Sequence, residues 1–457
     1  MTVTEKLADQ LLHVSESPLP DALRDKVAQH VFDTIGAILA GLPLPETTAL
    51  AATISELNSP AGKTGLAGEL GPTILHLCAA VRCTEVDDIH LASCITPSSI
   101  IVPTALATAA HRPEITGDQF LKACVTGYEA IIRLGLAIDG PGVLYKGIWP
   151  TYLCAGIGSA ATVASLIRLT PPQMAQALAI AASTAAGANA RSDSPCSKWL
   201  MAGTAAQNGA LAAFAARRGF LGDLGLLGAR WGKLFSIALN EDVLTDAPGE
   251  RRHAATLAMK SWCGARQAMS ALAGFKRLTE TKPLAPENLR EITIEVPKAY
   301  IQMIDRPGLP NSRQESFANL RYLFGLAAYA PDGLYDVARE NLRIDARFDA
   351  LAKKITIRHG ADLDSHYPRH WPARVTVIDG TGAKHVDEII RAPGDAENPL
   401  DWTMLAEKFT RVSGQKRESV AKAAAACRAL DSVDGLPNLL ALADRAVKDV
   451  VRVNARP

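Results

Sequence analysis

Alanine- and glycine-rich segments at helical spacing constrain the fold of this 457-residue chain more than any other feature of its sequence. They run through residues 1–272, where AGIGSAATVASLI and GTAAQNGALAAFAARRG place small side chains along predicted helices. Small side chains let helix backbones approach closely. Two capping-box patterns, Thr116–Gln119 and Thr170–Gln173, predict helix starts, and Gly219 predicts a helix end. We therefore predict a tightly packed, all-helical domain.

A different pattern follows Gly274. Segments 291–297, 353–359 and 373–390 alternate apolar and polar residues and are rich in β-branched side chains, which is typical of strands. Asp-Gly-Thr-Gly at 379–382 predicts a hairpin turn within the last segment. These signals, with two helices between the first and second segments, predict a small α+β domain of three or four antiparallel strands.

The helical pattern returns at Trp402 and continues towards the C-terminus. We expect that tail to pack on the first domain, which makes the α+β part an insertion. The predicted fold is mainly α: a large all-helical domain formed by residues 1–272 and 400–457, with an inserted α+β lid domain at residues 273–399.

Composition excludes several classes of protein. The formal net charge is +1 and no basic cluster stands out, which argues against a nucleic-acid-binding surface. The N-terminus has no signal-peptide pattern, and no apolar run reaches the length of about 18 residues that a membrane span needs. The eight cysteines have no CxxC spacing, which favours reduced thiols over disulfides or zinc. We predict a cytoplasmic protein with no membrane partner.

The first candidate for chemistry is the polar segment CTEVDDIHLASCITPSSIIVP, residues 83–103. It places Glu85, Asp87, Asp88 and His90 beside apolar residues. Crowded acids and an imidazole lose hydration energy when they are buried, so this arrangement indicates a functional site. The chain contains no GxGxxG motif after a strand, no Walker motif, no GxSxG and no HExxH.

Three further segments of the chain contain candidate site residues. Tyr145, Lys146 and Trp149 lie in an aromatic turn before a Pro-Thr helix start, where a proton donor and an anion-binding helix terminus would meet; an aromatic loop that caps two helices is an equal alternative. Lys198 follows a Ser/Pro-rich turn at the head of an apolar helix and is a candidate base or carboxylate-binding cation, the alternative being a surface lysine. Arg266 near a helix N-terminus is a candidate carboxylate clamp.

Together these segments resemble the MmgE/PrpD family, which includes 2-methylcitrate dehydratase, cis-aconitate decarboxylase and iminodisuccinate epimerase. The resemblance covers most of the chain and rests on an ordered set of motifs. These include EVDDIHL, PSSIIVPTALATAA, TGDQFLKACVTGYEAIIRL, KWLMAGTAAQNGALAAFAARRGFLG and PGDAENPLDWTMLAEKF. It implies a helical domain with an α+β lid, a site between them, a homodimer, a small di- or tricarboxylate substrate, no metal and no organic cofactor.

This sequence departs from the pattern that the resemblance implies for dehydratases and decarboxylases. Those enzymes use histidines in HP[GS], in G-x-H-P-T and near YPxxH. The matching positions here are Thr96, Trp149 and the segment 262–266, which ends in Arg266. All three imidazoles are missing.

The missing imidazoles bear on the mechanism. Dehydration and decarboxylation both need a proton donor that imidazole supplies well near neutral pH. Moving a proton from one face of an α-carbon to the other needs only two flanking groups and cations for the enolate charge. We therefore predict an epimerase or racemase of an iminodisuccinate-like substituted succinate. The candidate catalytic residues are Lys198, Tyr145, Asp88 and His90, and the candidate substrate-binding residues are Arg266, Lys146, Asp87, Thr96 and Trp149.

Two alternatives stay open. One is a 2-methylcitrate-type dehydratase or cis-aconitate-type decarboxylase in which other side chains replace the histidines. The other is a catalytically silent dimeric binding protein. The turn-rich segment 306–313 is a candidate for closing over a polyanionic substrate; a plain surface loop is at least an equal alternative.

Overall fold

The computed structural model describes residues 1–57, 65–185, 197–246, 253–282, 284–342 and 344–454. The chain forms two compact units, and each is described here by itself. The first unit comprises Met1–Leu257 and Trp402–Pro457, and the second comprises Ala258–Asp401. The fold class is confirmed: the protein is mainly α with a small α+β portion.

The helices, numbered in chain order, are mostly in the first unit. In that unit they are α1 (Val3–Glu16), α2 (Asp21–Gly41), α3 (Pro45–Leu57), α4 (Leu70–Thr84), α5 (Ser98–Ala110), α6 (Gly117–Ala137), α7 (Gly140–Tyr145), α8 (Pro150–Leu166), α9 (Pro171–Ser183), α10 (Ser197–Arg217), α11 (Ala229–Leu234), α12 (Glu241–Leu244), α18 (Trp402–Ser413), α19 (Arg417–Arg428) and α20 (Gly435–Asn454). In the second unit they are α13 (Met269–Thr281), α14 (Ile301–Ile304), α15 (Arg313–Ser316), α16 (Leu320–Tyr329) and α17 (Ala346–Ala352).

The small residues of α8 and α10 do what the sequence predicts. A Cβ added at Gly209 of α10 would lie 2.2 Å from the carbonyl oxygen of Gly156 in α8, so only glycine permits this approach. The two predicted capping boxes form at the starts of α6 and α9. Gly219, just after α10, has a φ of 89°, as a glycine helix cap requires.

The second unit is built on a four-stranded sheet with the order β2-β1-β3-β4. The strands are β1 (Leu289–Val296), β2 (Ile355–His359), β3 (Ala373–Asp379) and β4 (Lys384–Ile389). The prediction of an all-antiparallel sheet is wrong in one pair, because β1 and β2 are parallel. The chain between them passes through α14 to α17, a crossover of the kind that parallel strands need.

The second unit begins at Ala258, before the predicted boundary at residue 273. The backbone N–H of Met259 donates to Gly394 O at 2.8 Å, and the Ser261 hydroxyl donates to Pro393 O at 2.8 Å. Helix α13 packs on β3 and β4. Segment 258–272 therefore pairs with the sheet domain, although its helical pattern resembles that of the first unit.

No single helix among the described residues is long and apolar enough to cross a membrane. Helices α2 and α3 meet the length and composition criteria only as a pair, across a bend of 81°.

Candidate active site

The polar segment of the first unit lies between α4 and α5. Helix α4 ends at Glu85, whose backbone is left-handed with a φ of 53°. A short bridge follows, in which the His90 N–H donates to Ile95 O at 2.7 Å. Non-glycine residues seldom adopt a left-handed backbone, and such residues concentrate at functional sites. A carboxylate at a helix C-terminus also opposes the helix dipole, so two local preferences are broken at Glu85.

Glu85 holds Lys198. The Lys198 Nζ lies 3.2 Å from Glu85 Oε1, and the Trp199 indole N–H donates to the same oxygen at 3.4 Å. The ammonium also lies 5.0 Å from the ring centroid of Trp149 and 5.2 Å from that of Trp199. The side chains of Glu85 and Lys198 keep 12% and 17% of their surface exposed. Lys198 is therefore a cation held on aromatic faces within reach of solvent.

Asp87 faces inward. Its carboxylate forms a buried ion pair with Arg82, whose guanidinium also donates to the Tyr152 hydroxyl at 3.2 Å. A second carboxylate, Glu85, lies 3.6 Å from the same guanidinium. Arg82 thus links the two acids and fixes the end of α4.

Asp88 is also paired with buried groups. Its carboxylate accepts the Ser98 N–H at 3.0 Å and the Ser98 hydroxyl at 2.5 Å, and it lies 2.9 Å from His30 Nδ1. The Tyr128 hydroxyl lies 2.8 Å from the Ser98 hydroxyl. An acidic group at the first turn of α5 satisfies helix N–H groups. Asp88 therefore anchors the start of α5, and its side chain is only 1% exposed.

His90 is a neutral hydrogen-bonding group. Burial and, to a smaller extent, the nearby His253 lower its pKa to about 3, against the opposing effect of Asp88. The Ser93 N–H donates to His90 Nδ1 at 3.3 Å. The neutral ring therefore carries its proton on Nε2. In the predicted catalytic role, His90 would donate one hydrogen bond rather than bring a positive charge.

Thr96 and Trp149 lie at two helix starts that meet. The Thr96 N–H donates to the Thr151 hydroxyl at 2.9 Å, and the two threonine hydroxyls lie 3.1 Å apart. Thr151 is in the first turn of α8, directly after Trp149 and Pro150. The structure thus brings Thr96, Trp149 and Lys198 into one connected group of residues. We call these three residues and Glu85 the Lys198 site.

Tyr145 and Lys146 lie at the end of the short helix α7. Tyr145 is half-buried and Lys146 is exposed. Among the described residues, Lys198 makes polar and ring contacts with Glu85, Trp149 and Trp199. The Ser/Pro-rich turn predicted before Lys198 lies at residues 192–196, outside the described residues.

Arg266 belongs to the second unit and lies in a helical turn just before α13. Its guanidinium pairs with Asp395 and lies 6.0 Å from the ring centroid of Trp371. The residue is 2% exposed, and Nη1 has no hydrogen-bond partner among the described residues. A buried N–H without a partner is costly, so this nitrogen is well suited to a ligand carboxylate.

Sequence reasoning missed several partners that organise these sites. Glu85 appears in the polar segment but not among the predicted site residues; the only local signal for it is a carboxylate at a helix C-terminus. Arg82, Trp199, His30 and Asp395 gave no local signal. They are recognised only because the fold brings them against Asp87, Lys198, Asp88 and Arg266.

A metal centre finds no support in the part of the chain that the structure describes, where no group of three or more His, Cys, Asp or Glu side chains has metal-binding geometry. The free cysteines there are buried. Burial raises the pKa of the Cys124 and Cys154 thiols, which makes them poor nucleophiles.

Comparison with protein families identifies the architecture. The MmgE/PrpD N-terminal domain model matches residues 5–243, and the MmgE/PrpD C-terminal domain model matches residues 262–431. The chain belongs to the MmgE/PrpD family. The resemblance predicted from the sequence motifs is confirmed.

Curated relatives in this family are similar over nearly the whole chain. A cis-aconitate decarboxylase-like protein of Aspergillus oryzae is 22% identical over 91% of this chain and 92% of its own length. A cis-aconitate decarboxylase of Aspergillus terreus is 22% identical over 90% of this chain and 89% of its own length. The Homo sapiens cis-aconitate decarboxylase is 26% identical over 89% of this chain and 87% of its own length. All three are named for decarboxylation, and none of the three is named as an epimerase.

Proposed function

We propose that this MmgE/PrpD protein moves a proton at a carbon next to a carboxylate of a small di- or tricarboxylate, and that it epimerises a substituted succinate. The observation that carries this proposal is the Lys198 site. A lysine held by Glu85 and two indoles occupies the site, while Thr96 and Trp149 stand where the family resemblance places histidines. This site offers proton transfer through a lysine rather than an imidazole.

In the proposed reaction a base removes the α-proton, and the C–H electron pair moves into the adjacent carboxylate as an enediolate. A second group then returns a proton to the opposite face of the carbon. Lys198 Nζ donates to Glu85, and we assign the lysine the role of the acid. Tyr145 is our candidate for the other face. Arg266 Nη1 is our candidate ligand for a substrate carboxylate and its developing charge.

A second candidate is decarboxylation of a cis-aconitate-like tricarboxylate. The names of the three relatives favour it. The state of Lys198 favours it as well, because this reaction needs one acid. The C–C bond to the departing carboxylate breaks, carbon dioxide leaves, and the remaining electron pair takes a proton from the lysine ammonium. A 2-methylcitrate-type dehydration remains a third possibility and would need an acid for the departing hydroxyl.

Proton NMR in deuterated buffer separates these reactions. With an enantiopure substituted succinate such as iminodisuccinate, an epimerase incorporates deuterium at the α-carbon and loses optical rotation without releasing carbon dioxide. With cis-aconitate, a decarboxylase releases carbon dioxide and gives a product carrying one new deuterium. Lys198→Ala and Tyr145→Phe should each slow the reaction at least tenfold, whereas Lys422→Ala on the exposed face of α19 should not. Full α-proton exchange in both site variants would disprove the assignment of roles.

A further inference from the structure

The ring of Phe317 in the second unit lies near two guanidinium groups. The Arg339 Cζ is 4.8 Å from the ring centroid, and the Arg313 Cζ is 5.1 Å from it. Arg339 Nη1 donates to the Ser316 hydroxyl at 2.9 Å, and Nη2 donates to Cys263 O at 2.6 Å. Both guanidinium groups are within the distance at which a cation is attracted to an aromatic ring.

Arg339 is a buried charge without an anionic partner. It is 2% exposed, no carboxylate of the described residues pairs with it, and its Nε has no hydrogen-bond partner there. Its backbone is also left-handed, with a φ of 40°. An unpaired buried charge and a left-handed arginine are both costly. The Phe317 and Tyr322 rings offset part of that cost.

The charge of Arg339 acts next to Arg266. Arg339 binds the carbonyl of Cys263, and the Ala265 N–H donates to Phe317 O at 2.7 Å, so the segment that leads into Arg266 is fixed on both sides. Arg266 itself is paired with Asp395 and forms a neutral pair. The Arg266 Nη1 therefore offers a hydrogen-bond donor, while the Arg339 guanidinium, which pairs with no carboxylate of the described residues, binds the same segment at Cys263 O.

We propose that Arg339 is a positioning and specificity-determining residue that makes this face select doubly charged substrates. It fixes the Cys263–Arg266 segment and supplies the uncompensated charge that a second substrate carboxylate meets. The inference rests on the proposed function, because it takes Arg266 as a ligand for a substrate carboxylate. An anion that binds near Arg339 would relieve the desolvation that this arginine suffers in the free protein.

The test measures binding of the full-length protein to succinate and to monomethyl succinate by calorimetry at low ionic strength. Arg339→Met should weaken succinate binding about tenfold and binding of the singly charged ester about threefold, so that the preference for the dianion falls. Arg339→Lys keeps the charge and should keep that preference within about twofold. The control is Arg347→Met, which removes an exposed arginine lying 5.0 Å from the Tyr329 ring centroid and should change neither affinity.

A merely structural role gives different results. If folded Arg339→Met binds succinate as wild type does, or loses both ligands by the same factor, the inference is overturned. If Arg339→Met fails to fold, Arg339→Lys decides: equal weakening of both ligands overturns the inference, and a retained dianion preference supports it. If the wild-type protein catalyses α-proton exchange but Arg339→Met binds both ligands as wild type does, the inference is disproved. The proposed function then stands. Wild-type protein that binds neither ligand overturns the inference, and the NMR assay then judges the proposed function separately.

Discussion

The pKa of His90 predicts how acid affects the stability of the protein. The ring is 5% exposed, and its edge meets His253 at a centroid distance of 5.6 Å. Burial, with a smaller contribution from His253, lowers its pKa from 6.5 to about 3, against the opposing effect of Asp88. At a pH between these two pKa values, His90 is protonated in the unfolded chain and neutral in the folded protein.

The sign and size of the effect follow from this difference. The unfolded state binds more protons as the pH falls, so the free energy of unfolding decreases by about 1.4 kcal/mol for each pH unit below 6.5. Down to pH 5, His90 should therefore remove about 2 kcal/mol of stability. The contribution is fully present above pH 7 and declines steadily as the pH falls towards 3.

Urea unfolding at pH 8 and pH 5 measures this contribution. In His90→Asn the amide oxygen replaces Nδ1 as an acceptor and cannot titrate, so the variant should lose about 2 kcal/mol less stability than wild type on acidification. His13→Asn, which removes an exposed histidine on α1, should behave as wild type. Parallel pH dependences for His90→Asn and wild type would show that the folded protein accepts the His90 proton, and the reasoning would be refuted.

Three other substitutions test the sites and the packing. Glu85→Gln should lower turnover at least tenfold, because the amide no longer fixes the ammonium of Lys198; steady-state kinetics measures this. Lys408→Met should destabilise the protein by about 3–5 kcal/mol, because it strands a buried aspartate on α2; urea unfolding measures this. Gly209→Ala should destabilise the protein by about 1–3 kcal/mol through the clash with α8, and thermal melting measures this.

Matched variants give each result its control. Glu69→Gln neutralises an exposed carboxylate at the other end of α4 and should leave turnover unchanged. Lys422→Met removes an exposed lysine paired with Glu418 and should cost at most about 1 kcal/mol. Equal effects of Lys408→Met and Lys422→Met would contradict the role of burial. A Gly209→Ala protein that melts as wild type does would show that α8 and α10 separate at little cost.

Local signals predicted the elements of the fold well. Capping boxes, small-residue helices and the hairpin at residues 379–382 are encoded in a few neighbouring positions, and the structure reproduces them. The direction of the β1–β2 pairing was missed, since alternation of side chains does not reveal which strand lies next to which. The affiliation of segment 258–272 was missed for a related reason: it depends on pairing with Gly394, far along the chain.

The candidate sites were predictable in their charged residues but not in their partners. Lys198 stood out because a lysine heads an apolar helix. Its carboxylate partner Glu85 is 113 positions away. The Asp33–Lys408 pair, whose burial raises the pKa of Asp33 against the opposing charge of Lys408, joins residues 375 positions apart. Distances of this kind follow from packing and have no counterpart in periodicity or spacing.

The partners change the expected roles of the acidic pair. The side chains of Asp87 and Asp88 are each 1% exposed, and each is committed to a buried cationic or imidazole partner and, for Asp88, to the start of α5. Removing either carboxylate would leave its buried partner unpaired. We expect the main effect to be unfolding of this segment rather than a change in proton transfer. Glu85 and Lys198 instead retain access to solvent while breaking local backbone and dipole preferences. The chain tolerates this cost at Glu85, two residues before the buried and paired Asp87 and Asp88. We infer that the residues that hold the structure differ from those that take part in the chemistry. We therefore propose that the Glu85–Lys198 pair, rather than the Asp87–Asp88 pair, takes part in the proton chemistry.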